Sequence, residues 1–165
     1  MSRRPIVGVM GPGAGATQAD LRHAEELGAL IAREGWTVLC GGRAEGVMDA
    51  VCRGAKRAGG LTIGVIPGDD LHGSSEAVDV AIVTGLGSAR NNINVLTSQA
   101  VVACGMGAGT ASEVALAIKA GRPVVLLGAG AEAAALFRKL GGDLVQVADS
   151  PEAALSFLKA ALAGR

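Results

Sequence analysis

The sequence predicts an α/β fold: one doubly wound parallel sheet of about seven strands with helices on both faces. Three observations carry that prediction. Half of the 165 residues are hydrophobic, yet only Trp36, Phe137 and Phe157 are aromatic. Such a core must be built from Val, Ile, Leu and Ala, the composition of strands buried on both faces. Short apolar runs alternate with longer segments of helical period, the pattern of repeated strand–helix units with right-handed crossovers. Glycine gathers just after the apolar runs, at Gly11, Gly13 and Gly15, at Gly41, Gly42 and Gly46, at Gly85 and Gly87, and at Gly105, Gly107 and Gly109. In an open parallel sheet these are the carboxyl ends of strands, where ligands bind. The length fits a single domain over residues 1–165, and no linker or internal repeat divides it.

Each element has its own signal. "PIVGVMG" (5–11) reads as the first strand. The helix over 17–34 sets Leu21, Ala24, Leu27 and Ile31 on one face, with Thr17 as N-cap and Gly35 as the stop. "TVLCGG" (37–42) is the second strand, and a helix over about 44–58 presents Val47, Val51 and Ala55. "LTIGVIPG" (61–68) and "VDVAIVTG" (78–85) are strands; "GDDLHGSSEA" (68–77) between them is the most loop-like stretch and is expected to be the most mobile. A helix over about 88–98 leads to the strand "AVVACG" (100–105). The helix over 110–120 turns Val114, Ala115 and Ile118 inward and stops at Gly121-Arg122-Pro123. Strands "PVVLLG" (123–128) and "LVQV" (144–147) alternate with helices near 131–140 and 150–163.

Composition excludes several function classes. Fifteen basic residues balance fifteen acidic ones, so no global field draws in nucleic acid or an anionic membrane. Few aromatics means few base-stacking platforms. No apolar run reaches the roughly 18 residues of a membrane span. The opening "MSRRPIVGVMGPG" enters a strand without the long apolar stretch of a signal peptide. Cys40, Cys52 and Cys104 are odd in number and widely spaced, which argues against a disulfide framework and for a reducing, cytoplasmic location. His23 and His72 make no ligand pattern with the cysteines, so no protein-held metal is expected.

The loops carry the candidate chemistry. "GPGAGA" (11–16) has the letters of a dinucleotide turn, with Gly11, Pro12 and Gly13 at its start. Such a turn calls for an acid at the end of the second strand. Gly41, Gly42 and Arg43 stand there instead, leaving only a 2′-phosphate cofactor as an alternative. "GGRAEGVMDA" (41–50) sets Gly41, Gly42 and Gly46 before a helix, either to receive an anion or to make a tight turn. In "TGLGSARNN" (84–92), Gly87 and Ser88 precede Arg90 and Asn91. A cation in the first turn opposes the helix dipole, and serving a phosphate or carboxylate would explain it; a solvated surface arginine is the alternative. In "CGMGAGTASEV" (104–114), Thr110 and Glu113 are spaced as a capping box, which would account for both without a ligand. Gly105, Gly107 and Gly109 exceed what one turn needs and suggest close approach of a ligand to the backbone.

Taken together these segments resemble a known family. "GMGAGTASE" is similar to the PGGxGTxxE loop of the "lonely guy" (LOG) superfamily of Rossmann-like proteins. "GSARNN" is similar to its Arg-Lys helix start and "GGRAEGVMDA" to its GGxxGLM loop. Within the superfamily, "IVGVMGPG", "GGLTIGVIPG", "AVDVAIVTGLGSARNNINVL" and "GMGAGTASEVALAIKAGRPVVLLG" resemble the molybdenum cofactor carrier proteins over almost the whole chain. The resemblance implies a homodimer or homotetramer that binds, stores and protects the molybdenum cofactor, a phosphorylated pterin dithiolene, as cargo and without turnover. Cofactor biosynthesis or acceptor enzymes would be its partners. It implies a binding set of Gly11, Pro12, Gly13, Gly41, Gly42, Arg43, Gly46, Gly87, Ser88, Arg90 and Asn91. The loop after the fifth strand would add Gly105, Met106, Gly107, Ala108, Gly109, Thr110 and Glu113.

The enzyme branch cleaves nucleoside 5′-monophosphates to base and ribose 5-phosphate with an Arg and a Glu, which map here to Arg90 and Glu113. This chain departs from that branch at Gly105 for proline, Met106 for glycine and Asn91 for lysine. The departures agree with a carrier; a phosphoribohydrolase and a nucleotide-binding sensor stand as the alternatives.

Overall fold

Strands and helices follow the predicted order in the computed structural model, which describes residues 3–163. Met1-Ser2 of the N-terminal reading, and the last two positions of the 1–165 range, lie outside the described residues. The strands are β1 (Ile6–Met10), β2 (Thr37–Cys40), β3 (Thr62–Ile66), β4 (Val80–Val83), β5 (Ala100–Cys104), β6 (Val124–Leu127) and β7 (Val145–Ala148). The helices are α1 (Gln18–Arg33), α2 (Gly46–Arg57), α3 (Arg90–Thr97), α4 (Ala108–Lys119), α5 (Ala131–Gly141) and α6 (Pro151–Leu162). A short 3₁₀ turn, Gly87–Ala89, leads into α3.

All seven strands form one parallel sheet in the order β4-β3-β2-β1-β5-β6-β7. The predicted fold class is borne out. Alternation along the strands sorts the core into two layers. Val7, Val9, Ala100, Val102 and Cys104 face Leu27 and Ile31 of α1, Val47 and Val51 of α2, and Leu158 of α6. Met10, Leu39, Val101 and Ala103 face Val95 of α3, Val114 of α4 and Phe137 of α5. Helices α1 and α2 approach until backbone nearly meets backbone: a Cβ on Gly54 would lie 1.8 Å from the Glu25 carbonyl oxygen.

Winding outward from the centre, the chain goes β1 to β4 on one side and β5 to β7 on the other. The reversal falls between β1 and β5. There the loops leave the sheet in opposite directions and a crevice opens, the place where such folds bind ligands. No helix among the described residues is long and apolar enough to cross a membrane. The 68–77 stretch is a loop, yet its far end is anchored rather than free. The Ala44 N–H donates to the Gly73 carbonyl, the Ser75 N–H donates to the Gly42 carbonyl, and Ser75 Oγ donates to Asp49 at 2.6 Å.

Candidate functional site

The crevice between β1 and β5 holds a cleft of roughly 380 Å³, within the ordinary range of small-molecule sites. Its walls come from three strand ends. The loop after β1 contributes Gly11, Pro12, Gly13 and Gly15; the loop after β2 contributes Gly41, Arg43 and Glu45; the start of α4 contributes Gly107, Ala108, Gly109 and Thr110. Arg90 and Asn91 of α3, Glu113 of α4, and the thioethers Met10 and Met48 complete it.

The start of α4 opens onto the cleft without a side-chain cap. The expected capping box is not there, because the helix begins at Ala108 and places Thr110 in its first turn. Gly107, in extended backbone with φ −156°, is the N-cap and supplies no side-chain oxygen. The first intrahelical bond runs from Ala111 N–H to the Gly107 carbonyl, leaving the Ala108, Gly109 and Thr110 amides without helical acceptors. The capping box belongs instead to α1. Thr17 Oγ1 accepts from the Asp20 amide at 3.1 Å, and an Asp20 carboxylate oxygen accepts from the Thr17 amide at 2.9 Å. A dinucleotide turn needs that first helix start open to pyrophosphate; here its own residues occupy it.

Opposite α4, the Arg90 guanidinium is half-buried. Its Nη2 donates to the Gly41 carbonyl at 3.3 Å and its Nη1 to Asn91 Oδ1; its Nε is buried without a partner among the described residues. Gly41 makes room for it: a Cβ there would lie 2.6 Å from Arg90 Nη2 and 2.8 Å from Met48 Sδ. Asn91 donates to Ser112 Oγ at 3.0 Å, tying α3 to α4.

Glu113 accepts from Asn94 Nδ2 at 2.9 Å and is 7% exposed. Burial pushes its carboxyl up to about 7, against the opposing pull of the Asn94 hydrogen bond and the Arg90 charge. Burial lowers Arg90 as well, with the Glu113 charge opposing it.

Six sequence candidates fall outside the cleft wall. Gly42 (φ +76°) and Gly46 (φ +58°) adopt backbone that favours glycine, and Gly46 also packs against the Pro12 and Gly13 carbonyls. These two shape the loop. Gly105 (φ +75°) sits against the Asp20 carboxylate, and Met106 packs into the core layer beneath α4. Gly87 (φ +55°) lies in the 3₁₀ turn, and Ser88 lines a separate surface groove along α3 and α4. Sequence reasoning missed Met10, Gly15, Glu45 and Met48. Their signal was position: Met10 abuts Gly11, and Met48 follows Gly46 in the same helical turn. A larger hollow of roughly 720 Å³ borders α2, but its basic residues are paired locally, Arg53 with Asp49, Lys56 with Asp79 and Arg57 with Glu25.

The profile of the SLOG cluster4 family matches residues 4–155. The chain belongs to that family. The solved structure of the molybdenum cofactor binding protein from the phototrophic bacterium Rippkaea orientalis is 54% identical to it. That likeness has a TM-score of 0.95 and covers 97% of this chain and 98% of that one. The Moco carrier protein from Chlamydomonas reinhardtii is also 54% identical, with a TM-score of 0.94 over 99% of this chain and 100% of that one. The cytokinin riboside 5′-monophosphate phosphoribohydrolase of Mycobacterium tuberculosis is 36% identical over 104 residues, 61% of this chain and 56% of that protein. The resemblance read from the loop motifs, to the LOG superfamily and to its carrier branch, is borne out.

In this SLOG cluster4 member the cysteines lie under the site and not in its wall. Cys40, Cys52 and Cys104 are all free and buried. Cys40 Sγ lies 3.4 Å from Cys52 Sγ and accepts from the Gly42 amide. The shared hydrogen bond draws Cys40 down and Cys52 up. Burial lifts Cys104 to about 12, leaving it a thiol that donates to the Asp20 carbonyl. No group of three or more His, Cys, Asp and Glu side chains among the described residues could hold a metal ion.

Proposed function

We propose that this chain is a non-catalytic carrier that binds and shields the molybdenum cofactor as cargo. One observation carries the reading: the uncapped start of α4 faces Arg90 across a glycine-walled cleft. Three free amides, the positive end of a helix and a guanidinium form a receptor for a terminal phosphate. Asn91 offers a neutral polar edge to a heterocycle, and Met10 and Met48 offer polarisable thioether contacts beside it. The relatives that match over nearly the whole chain are a molybdenum cofactor binding protein and a Moco carrier protein.

A homodimer or homotetramer in the cytoplasm completes the proposal. Exposed Leu96 on α3, and the separate groove along α3 and α4 that Leu116 lines, support an apolar contact between copies. Three free thiols suit a reducing compartment.

A second reading, phosphoribohydrolase, rests on Arg90 and Glu113 sharing the cleft. Against it, Asn91 puts a neutral amide, already bonded to Ser112, where the enzyme motif has a lysine.

Anaerobic mixing with the cofactor, gel filtration and molybdenum analysis test the first reading. Native protein should co-elute with cofactor. Arg90→Met and Gly41→Ala, the latter by displacing the guanidinium, should each weaken retention by about tenfold or more, about 1.4 kcal/mol. Both variants should keep the native melting transition. Retention unchanged in both would refute the site. Release of free base from AMP by native protein, lost in Glu113→Gln, would establish the second reading instead.

A further inference from the structure

A buried carboxyl group beside an anion site poses a choice, since its ionised and protonated forms recognise opposite partners. Ionised, it repels a phosphate; protonated, it donates a hydrogen bond to one. Glu113 borders the cleft beside the amides of α4 and is held by one neutral partner, Asn94. Asn94 is sealed from solvent, and its Oδ1 has no partner among the described residues. A structural asparagine at such depth would satisfy both ends of its amide. This one spends its donor on Glu113 and leaves its acceptor idle.

The charged and titratable groups near Glu113 come from two packed elements, Arg90 on α3 and Cys40 at the end of β2. Arg43 and Glu45, also in the cleft wall, pair with each other at 3.9 Å. The Asn94 hydrogen bond and the Arg90 charge favour the carboxylate, and burial outweighs both.

The geometry points to Glu113 as a proton-linked hydrogen-bond donor to an anionic ligand in this cleft, with Asn94 as the residue that positions it. The inference rests on the reading of the cleft as a phosphate receptor. Asn94 holds one carboxyl oxygen, and the other, protonated, donates to an oxygen of the ligand. The proton comes from solvent on binding and returns to solvent on release; no other bond changes. Since the free group sits at about 7, affinity is greatest below that pH and falls as pH rises until the bound group also ionises. A carrier built this way holds its cargo tightly in mildly acidic surroundings and loosens it in alkaline ones.

Inorganic sulfate is the probe, because its charge is constant between about pH 5.5 and 8.5 while the second ionisation of a phosphomonoester, near 6, is not. Isothermal titration calorimetry in two buffers of different ionisation enthalpy reads the protons exchanged. Native protein should take up about half a proton per sulfate near pH 7 and more near pH 8. Glu113→Gln should bind sulfate with no proton uptake and a flat pH profile. Asn94→Leu removes the hydrogen bond that favours the carboxylate, so the midpoint of the profile should move to higher pH. Asn94→Ser, milder for the fold, should move it the same way by less.

Sulfate binding without proton uptake, or with release, would overturn the inference while leaving the anion site in place. A midpoint unmoved in both Asn94 variants would overturn the positioning role. If sulfate fails to bind while the cofactor is retained, the inference falls and the carrier reading stands. If neither binds, both fall.

Discussion

Glu113 should make the free protein less stable as pH rises through neutrality, and Glu113→Gln should remove that dependence. The side chain loses its proton near 4.5 when unperturbed and near 7 in the folded cleft. Between those values the folded state holds more protons than the unfolded chain, so stability falls with rising pH. Glu113 therefore contributes most favourably below its unfolded value, and that contribution is lost by the time pH has passed its folded value. The gap between 4.5 and about 7 corresponds to roughly 3 kcal/mol, at about 1.4 kcal/mol per pH unit.

Glutamine keeps a carbonyl oxygen for the Asn94 donor and cannot ionise. The difference in unfolding free energy between native protein and variant should thus shift by roughly 2 to 3 kcal/mol from about pH 5 to 8, in favour of the variant. Other titrating groups are common to both proteins and cancel in that difference. Urea titrations followed by the fluorescence of Trp36, the one tryptophan, provide the measurement. Trp36 is half-buried against the core layer under α1, so its emission reports loss of that packing. A difference that stays flat across the range, or moves in favour of the native protein, would refute the argument that burial dominates at Glu113.

Gly109→Ala tests whether the cleft-lining Gly109 serves a ligand or only the helix. A Cβ at Gly109 meets nothing within 4 Å and its φ is not in the left-handed region, so alanine should stabilise α4 by roughly 0.5 to 1 kcal/mol. The same methyl projects beside the cleft, and cofactor retention should fall while the melting temperature rises. A paired comparison tests the reassigned capping box: Thr17→Val should cost about 1 kcal/mol by denaturation, and Thr110→Val well under half of that.

How much of this was legible in the sequence differs by scale. The inner strands were readable because they bury both faces: β5 is Ala100–Cys104 with every residue buried, and no polar alternation confuses it. Their order in the sheet was not, since pairing β1 with β5 rather than a strand next in sequence is a non-local fact. Hence the glycine loops were identifiable individually, while their grouping around the β1/β5 crevice was not. Two of the missed cleft residues, Met10 and Met48, share one cause. Methionine at the end of a strand or on the inner face of a helix reads as core, and Met10 is indeed core as well as wall. Glycines required by backbone angle, such as Gly42 and Gly46, carry the same letter as glycines that clear space for a neighbour, such as Gly41. Only the folded backbone separates the two.

The misread capping box has a further lesson in charge placement. Four helices carry an acid in the first turn, Asp20 in α1, Asp49 in α2, Glu132 in α5 and Glu152 in α6. Helices α3 and α4 carry none, and α3 begins with Arg90. By helix electrostatics alone these two are the least well terminated in the fold. They are also the two whose first residues, Arg90 of α3 and Ala108 of α4, border the same cleft. A single anion between them would compensate both starts at once, supplying α4 with the negative charge its first turn lacks and pairing the cation at the head of α3. The carrier reading requires such an anion there. It explains why local stability was forgone at these two helix starts and kept at the other four.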